Sequence, residues 1–216
     1  DGLHLLSGVQ VQKVVRTGDR RGLQLTGGAG PQELSVDQIL VGTGRRPNVE
    51  GLNLEAAGVE FSRQGVEVND CLQTSNPNIY AAGDICLPWK FTHTADASAR
   101  IVIQNALFGG RKKVSALIVP WCTYTDPEIA HVGWNERQAA DEGVGIETFT
   151  QRFAEVDRAI LEGETEGLLK IHVRAGTDKI VGATLVARHA GEMISEITLA
   201  MNGGLGRRAI RGPNQP

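Results

Sequence analysis

Aromatic residues make up only 5% of this 216-residue chain, and they are not interleaved with basic ones, which leaves no stacking surface for single-stranded nucleic acid. Positive charge is not in excess either: 22 Lys and Arg face 25 Asp and Glu, for a formal net charge of −3. The basic pairs Arg20-Arg21, Arg45-Arg46 and Lys112-Lys113 are scattered, so nothing argues for a nucleic-acid partner. No apolar run approaches the length that crosses a bilayer, and the N-terminus lacks the basic and apolar regions of a secretory signal. No membrane partner is expected, and a cytoplasmic setting is the default. The first residue is Asp1 rather than methionine, which suggests a chain cut, processed or recorded from an internal point.

Cysteine is scarce as well. Cys71, Cys86 and Cys122 stand 15 and 36 positions apart, so no Cys-x-x-Cys metal or redox pair exists. No local pattern marks an activating base for Cys86, and a lone cysteine is more often a small, partly buried hydrophobe than a nucleophile. Glu128 and His131 have Glu-x-x-His spacing, but Pro127 and strand-like surroundings oppose the helix that a metal site of this kind needs. His172, in an alternating strand, and His189, near a helix start, read as structural. The expected catalytic and metal sets are both empty.

What the chain does have is 41% hydrophobic residues, enough for a real core in one large domain or parts of two. Residues 3 to 41 alternate in short runs broken at "TGDRRG" and "TGGAGPQ", which predicts an antiparallel hairpin or meander. Ile39-Leu40-Val41 reads as a strand buried on both faces. In "GTGRRPN", Gly42 and Gly44 permit close backbone approach and Pro47 stops any helix, which marks a junction.

"NIYAAGDI", residues 78 to 85, reads as a buried strand ending in Gly83 and Asp84. "FTHTADASARIVIQNALFGG" then predicts a helix with its apolar stripe at 95, 99, 102, 103, 106 and 107, stopped by Gly109-Gly110. A carboxylate between a strand end and a helix start can take a ligand hydroxyl, although a plain turn aspartate explains the same residue. From Val114 the pattern becomes antiparallel α+β, with a domain boundary near 114. Two short strands break at Asp126-Pro127, and "NERQAADEG" has Asn135 as cap, Gln138 at the capping-box position and Gly143 as stop. Further strands and a helix with Met193, Ile197, Ala200 and Met201 on one stripe follow.

Four segments in register, "ILVGTGRRPN", "LQTSNPNIYAAGDI", "YTDPEIAHVGWNERQA" and "GETEGLLKIHV", resemble the flavin-dependent pyridine nucleotide-disulfide oxidoreductases, of the mercuric reductase, dihydrolipoamide dehydrogenase and glutathione reductase type. The resemblance covers nearly the whole chain and implies only the C-terminal half of such an enzyme. The implied fold class is α+β: the remnant of a doubly wound FAD-binding α/β domain followed by an antiparallel-sheet-plus-helices dimerisation domain. Its parts would be residues 1–36, the end of the nicotinamide-binding domain; 37–114, the C-terminal segment of the FAD domain; and 115–216, the dimerisation domain.

The resemblance further implies FAD contacts at Gly83 and Asp84, close cofactor approach at Gly42 and Gly44, and backbone contacts at Thr92, His93 and Thr94. It implies NAD(P)H use by the parent protein and a homodimer formed through the C-terminal domain. The function implied is electron transfer from NAD(P)H through FAD to a disulfide or a thiol-bound substrate such as mercuric ion. The alternative is an inactive dimerisation and cofactor-edge module when the chain is isolated, which would expose apolar surface. The family's N-terminal FAD fingerprint, redox cysteine pair and C-terminal His-Pro segment are missing. "GRRAIRGPNQP" ends the chain instead, through truncation, a frameshift or a cloning scar. The Gly-x-Gly-x-x-Ala spacing of Gly204, Gly206 and Ala209 follows a helix rather than a strand, which excludes a dinucleotide loop there.

Overall fold

The computed structural model describes residues 2–27 and 30–210. Two compact units emerge, Asp1–Arg46 and Pro47–Pro216.

The first unit is the expected meander. Strands β1 (Val9–Thr17), β2 (Arg20–Gly27) and β3 (Gln32–Val36) form an antiparallel sheet in the order β1-β2-β3. Thr17 pairs with Arg20 across a tight turn in which Gly18 holds φ at +62°, a conformation that favours glycine. Ile39-Leu40-Val41 is a correction: residues 38–49 carry no regular secondary structure, and Leu40 is 98% exposed. A strand buried on both faces draws its hydrogen bonds and its cover from neighbours, and none pairs with it among the described residues.

The second unit begins with short elements. β4 (Phe61–Ser62) and β5 (Gly65–Val66) form a two-stranded ladder. A single 3₁₀ turn spans Gly83–Ile85, and the long helix α1 runs over Thr92–Leu107. The expected strand in "NIYAAGDI" shrinks to one bridge, Gln73 to Tyr80. The segment instead folds back on its own neighbours: Thr74 N–H donates to the Ile79 carbonyl at 3.0 Å, and Ala81 N–H to the Leu72 carbonyl at 3.1 Å. Local pairing has satisfied the groups that a parallel neighbour would otherwise take.

A five-stranded antiparallel sheet follows, in the order β6-β7-β10-β9-β8, built from β6 (Pro120–Thr123), β7 (Glu128–Gly133), β8 (Ile146–Arg152), β9 (Leu168–Arg174) and β10 (Ile180–Ala187). Short helices α2 (Glu136–Asp141) and α3 (Asp157–Glu162) lie between its strands, and α4 (Ala190–Asn202) and α5 (Arg207–Ile210) close the described chain. The capping box of α2 forms as expected, with Gln138 N–H donating to Asn135 Oδ1 at 2.9 Å and Asn135 N–H to Gln138 Oε1 at 3.1 Å.

The two-residue period of the strands sorts this sheet into two unlike faces. Ala130, Val132, Ile171, Val173, Ala183 and Leu185 share one face and pack under Ala190, Ile194, Ile197 and Ala200 of α4. Of the stripe expected on α4, Met193 turns out 45% exposed and Ile194 takes its place in the core. The opposite face carries His131, Thr184, Lys170, His172 and Thr148, where α2 is tied down by the Lys170–Glu136 ion pair at 3.0 Å.

Candidate functional site

The Gly-Asp turn is clamped to α1. Gly83 N–H donates to Ser98 Oγ at 2.9 Å, and Ser98 Oγ donates on to the Ala95 carbonyl at 2.9 Å. Gly83 adopts φ of +76°, and a Cβ there would sit 3.1 Å from Ala95 Cβ. A glycine is therefore required both by conformation and by the closeness of the helix. The Gly83 carbonyl accepts from Cys86 N–H at 3.1 Å and from Leu87 N–H at 3.0 Å, which closes the turn. Lys90 Nζ secures its far side by donating to the Asp84 carbonyl at 2.9 Å and the Leu87 carbonyl at 3.0 Å. Asp84 is thus presented, half-buried, on a backbone held at several points.

Helix α1 reverses the expected amphipathicity. Thr94, Ser98, Ile101 and Asn105 are its buried residues, whereas Ile103 and Leu107 are 52% and 69% exposed. The buried polar groups are all engaged, as burial demands. Thr94 Oγ1 donates to the Phe91 carbonyl at 2.8 Å and accepts from Phe91 N–H at 3.3 Å. Asn105 Nδ2 donates to the carbonyls of Cys71 and Lys112, and its Oδ1 accepts from Lys112 N–H at 2.8 Å. Sequence reasoning missed Ser98 and Asn105 because it followed apolar residues alone. The signal was there in the helical spacing of 94, 98, 101 and 105.

The start of α1 offers backbone rather than side chains. The first N–H groups of a helix have no intrahelical acceptor, and no acidic residue occupies this first turn. Thr92 and His93 are exposed there. The Thr94 hydroxyl is consumed within the turn, and the His93 ring stacks on Phe91 at 5.3 Å while its Nε2 bonds the Pro120 carbonyl at 3.0 Å. His93 therefore fastens the helix start to β6. Gly42 and Gly44 belong to the first unit, on exposed chain without regular structure, and Gly44 has φ of +89°.

The remaining candidates resolve into structure. Burial pushes the Cys86 thiol up to about 11 against the opposing pull of Lys90, so it is almost wholly protonated near neutrality. Burial, with the Glu128 carboxylate beside it, also raises the Cys122 thiol. Glu128 and His131 project to opposite faces of β7, as odd spacing on a strand requires. Glu128 Oε2 accepts from Gly191 N–H at 2.9 Å, while His131 Nδ1 and Nε2 bond Thr184 Oγ1 at 2.8 Å and the Gly133 carbonyl at 2.9 Å. Gly206 makes room for Asp178, whose carboxylate a Cβ there would strike. That close approach explains the glycine spacing near the end of the described chain without a phosphate. Residues 211–216 of "GRRAIRGPNQP" lie outside the described residues. No helix among those described is long and apolar enough to cross a membrane.

Comparison with known proteins agrees with this layout. Residues 1–99 match the pyridine nucleotide-disulphide oxidoreductase domain, and residues 119–211 match the dimerisation domain of the same family. Over 205 residues the chain is 42% identical to a mercuric reductase of Staphylococcus aureus and 37% identical to a dihydrolipoyl dehydrogenase of Thermus scotoductus, in each case over 94% of its own length. It spans 38% and 41% of those two proteins. Among solved structures, the HOCl-induced flavoprotein disulfide reductase RclA of Escherichia coli superposes with a TM-score of 0.80 at 28% identity, over 96% of this chain and 47% of that one. LpdA of Mycobacterium tuberculosis gives 0.83 at 26% identity, over 95% and 44%. With both of its segments matched in order to the two domains of one family, the chain belongs to the pyridine nucleotide-disulphide oxidoreductases.

Proposed function

We propose that the chain is the part of a flavoprotein oxidoreductase that holds one edge of FAD, in a protein that passes electrons from NAD(P)H through FAD to a disulfide or a thiol-bound substrate such as mercuric ion. The observation that carries this reading is the Gly83–Asp84 turn bonded to Ser98 of α1. It fixes a carboxylate-bearing turn and a helix on one rigid support, which fits a cofactor with both sugar hydroxyls and a polar ring edge.

In this reading the Asp84 carboxylate accepts a hydrogen bond from a sugar hydroxyl. The backbone N–H groups of Thr92, His93 and Thr94 face the pyrimidine edge, where a helix N-terminus stabilises negative charge. Gly42 and Gly44 supply close backbone approach. Bound FAD supplies the electron relay, while these residues bind and orient it. Residues 1–36, 37–114 and 115–216 act as the end of the nicotinamide domain, the FAD segment and the dimerisation domain. The parent is a cytoplasmic homodimer.

For the isolated chain we infer an inactive dimerisation and cofactor-edge module. Its three cysteines are all free thiols, and Cys86, nearest the turn, is held protonated by burial. The visible spectrum of the purified chain, recorded with and without NADPH, separates the readings. A colourless dimer supports the inactive module, whereas a stoichiometric flavin spectrum that NADPH bleaches overturns it. In a longer protein carrying this chain, Asp84→Ala is expected to lower flavin content. Unchanged flavin content would remove Asp84 from the site.

A further inference from the structure

All three tryptophans of the chain line one cleft of about 620 Å³ in the second unit. Trp89 comes from the segment before α1, Trp121 from β6 and Trp134 from the turn between β7 and α2. Arg174 and Lys179 stand at the exposed rim, and Gln138 of α2 adds an amide. Neither Arg174 nor Lys179 has a carboxylate partner among the described residues. Gly83, Asp84, Thr92, His93 and Thr94 of the same unit are not among the lining residues, so the cleft shares none of its walls with these proposed FAD contacts.

The walls are set in advance of any ligand. Trp134 N–H donates to the Val181 carbonyl at 2.9 Å, and Gly182 lies so close that a Cβ there would run into the Trp134 carbonyl. The Trp89 carbonyl lies 3.0 Å from Thr94 Oγ1 and shares that hydroxyl's proton with the Phe91 carbonyl at 2.8 Å. Trp121 lies 5.4 Å from the His131 ring, tilted by 41°, and His131 has both nitrogens bonded elsewhere. Arg174 N–H donates to the Lys179 carbonyl at 2.9 Å, closing the hairpin that brings both cations to one rim. The volume falls in the range of small-molecule sites, which combine aromatic walls with a few placed polar groups. Indole faces stack on planar rings, and cations without counter-ions attract an anion.

We propose that this cleft binds a planar aromatic anion, with the ring against the indoles and the anionic group at Arg174 and Lys179. An aromatic carboxylate and a nucleoside monophosphate share this chemistry, and the test separates them. The 216-residue chain is titrated calorimetrically with naphthoate, with AMP, with uncharged naphthalenemethanol and with inorganic phosphate. Because every tryptophan lines the cleft, indole emission reports whether binding occurs there.

Saturable binding of naphthoate or AMP with a change in indole emission is expected, and whichever binds identifies the source. In R174Q/K179Q the affinity should fall about tenfold, the order expected for charge-assisted hydrogen bonds, with circular dichroism and Tm unchanged. Both side chains are exposed, so the fold should tolerate the change. The proposal is overturned if neither anion binds saturably, if binding leaves indole emission unchanged, or if naphthalenemethanol binds as well as naphthoate and the double variant binds as the parent does.

Discussion

Gly83 and Ser98 are joined by a 2.9 Å hydrogen bond from backbone to side chain across fifteen residues of sequence. That bond couples the Gly-Asp turn to α1, so the carboxylate of Asp84 and the start of the helix keep one relative position. Both groups are buried, which makes the bond costly to lose.

Ser98→Ala therefore leaves the Gly83 N–H buried without an acceptor. A loss of about 1–3 kcal/mol is expected, the usual penalty for an unsatisfied buried donor. Thermal unfolding should register it as a drop of several degrees, and amide exchange at Gly83 should quicken. An unchanged Tm together with unchanged exchange would contradict the clamp.

Gly182 and Gly145 make a matched pair. A Cβ at Gly182 runs into the Trp134 backbone, with its nitrogen only 2.6 Å away, whereas one at Gly145 meets Ala175 Cβ at an ordinary 3.4 Å. Gly182→Ala should cost about 1–3 kcal/mol, as overpacking does, and should shift indole emission by moving Trp134. Gly145→Ala should be nearly neutral. Equal effects from the two substitutions in urea unfolding would show that close packing at Trp134 is not the cause.

His131 and His172 set the acid side of the stability profile. Burial lowers both below the ordinary histidine value, opposed at His131 by the Gly133 carbonyl and at His172 by Glu136. Lys170 and His131 push His172 the same way as burial. The unfolded chain then takes up protons that the folded chain refuses, so stability should fall as pH drops below about 6.5 and level off beneath the folded values. Glu136 is lowered chiefly by its bond to Lys170, so its contribution is lost only at more acid pH, as pH falls through the carboxylate range. Denaturant midpoints measured from pH 8 to pH 5 should slope downward (roughly flat above 7), and the slope should shrink in H131Q/H172Q. A profile flat to pH 5 would refute it.

Cys86 should resist alkylation in the folded chain. With its thiol pushed up to about 11, iodoacetamide labelling at neutral pH should be slower than in the urea-unfolded chain by on the order of a hundredfold, following the thiolate fraction. Mass spectrometry of the labelled peptides reads this directly. Folded-state labelling as fast as the unfolded would place Cys86 in a different environment.

Short-range chemistry accounts for what was legible in the sequence. The turn at Gly18, the capping box at Asn135 and Gln138, and the two-residue alternation of the five-stranded sheet depend on neighbours a few positions away, and each forms as its residues specify. The motif order was enough to identify the family because those motifs persist in the sequence whatever surrounds them. Tertiary structure decided the rest. Ile39-Leu40-Val41 has strand-forming residues, yet a strand needs a partner to pair with, and among the described residues it finds none. Helix α1 forms where expected but buries Ser98 and Asn105, because segments that arrive from residues 71, 83 and 112 offer backbone groups that only polar side chains can satisfy. Gathering three tryptophans from separate segments around one cleft is likewise set by strand order and helix docking, which bring together residues with no local relation in the sequence.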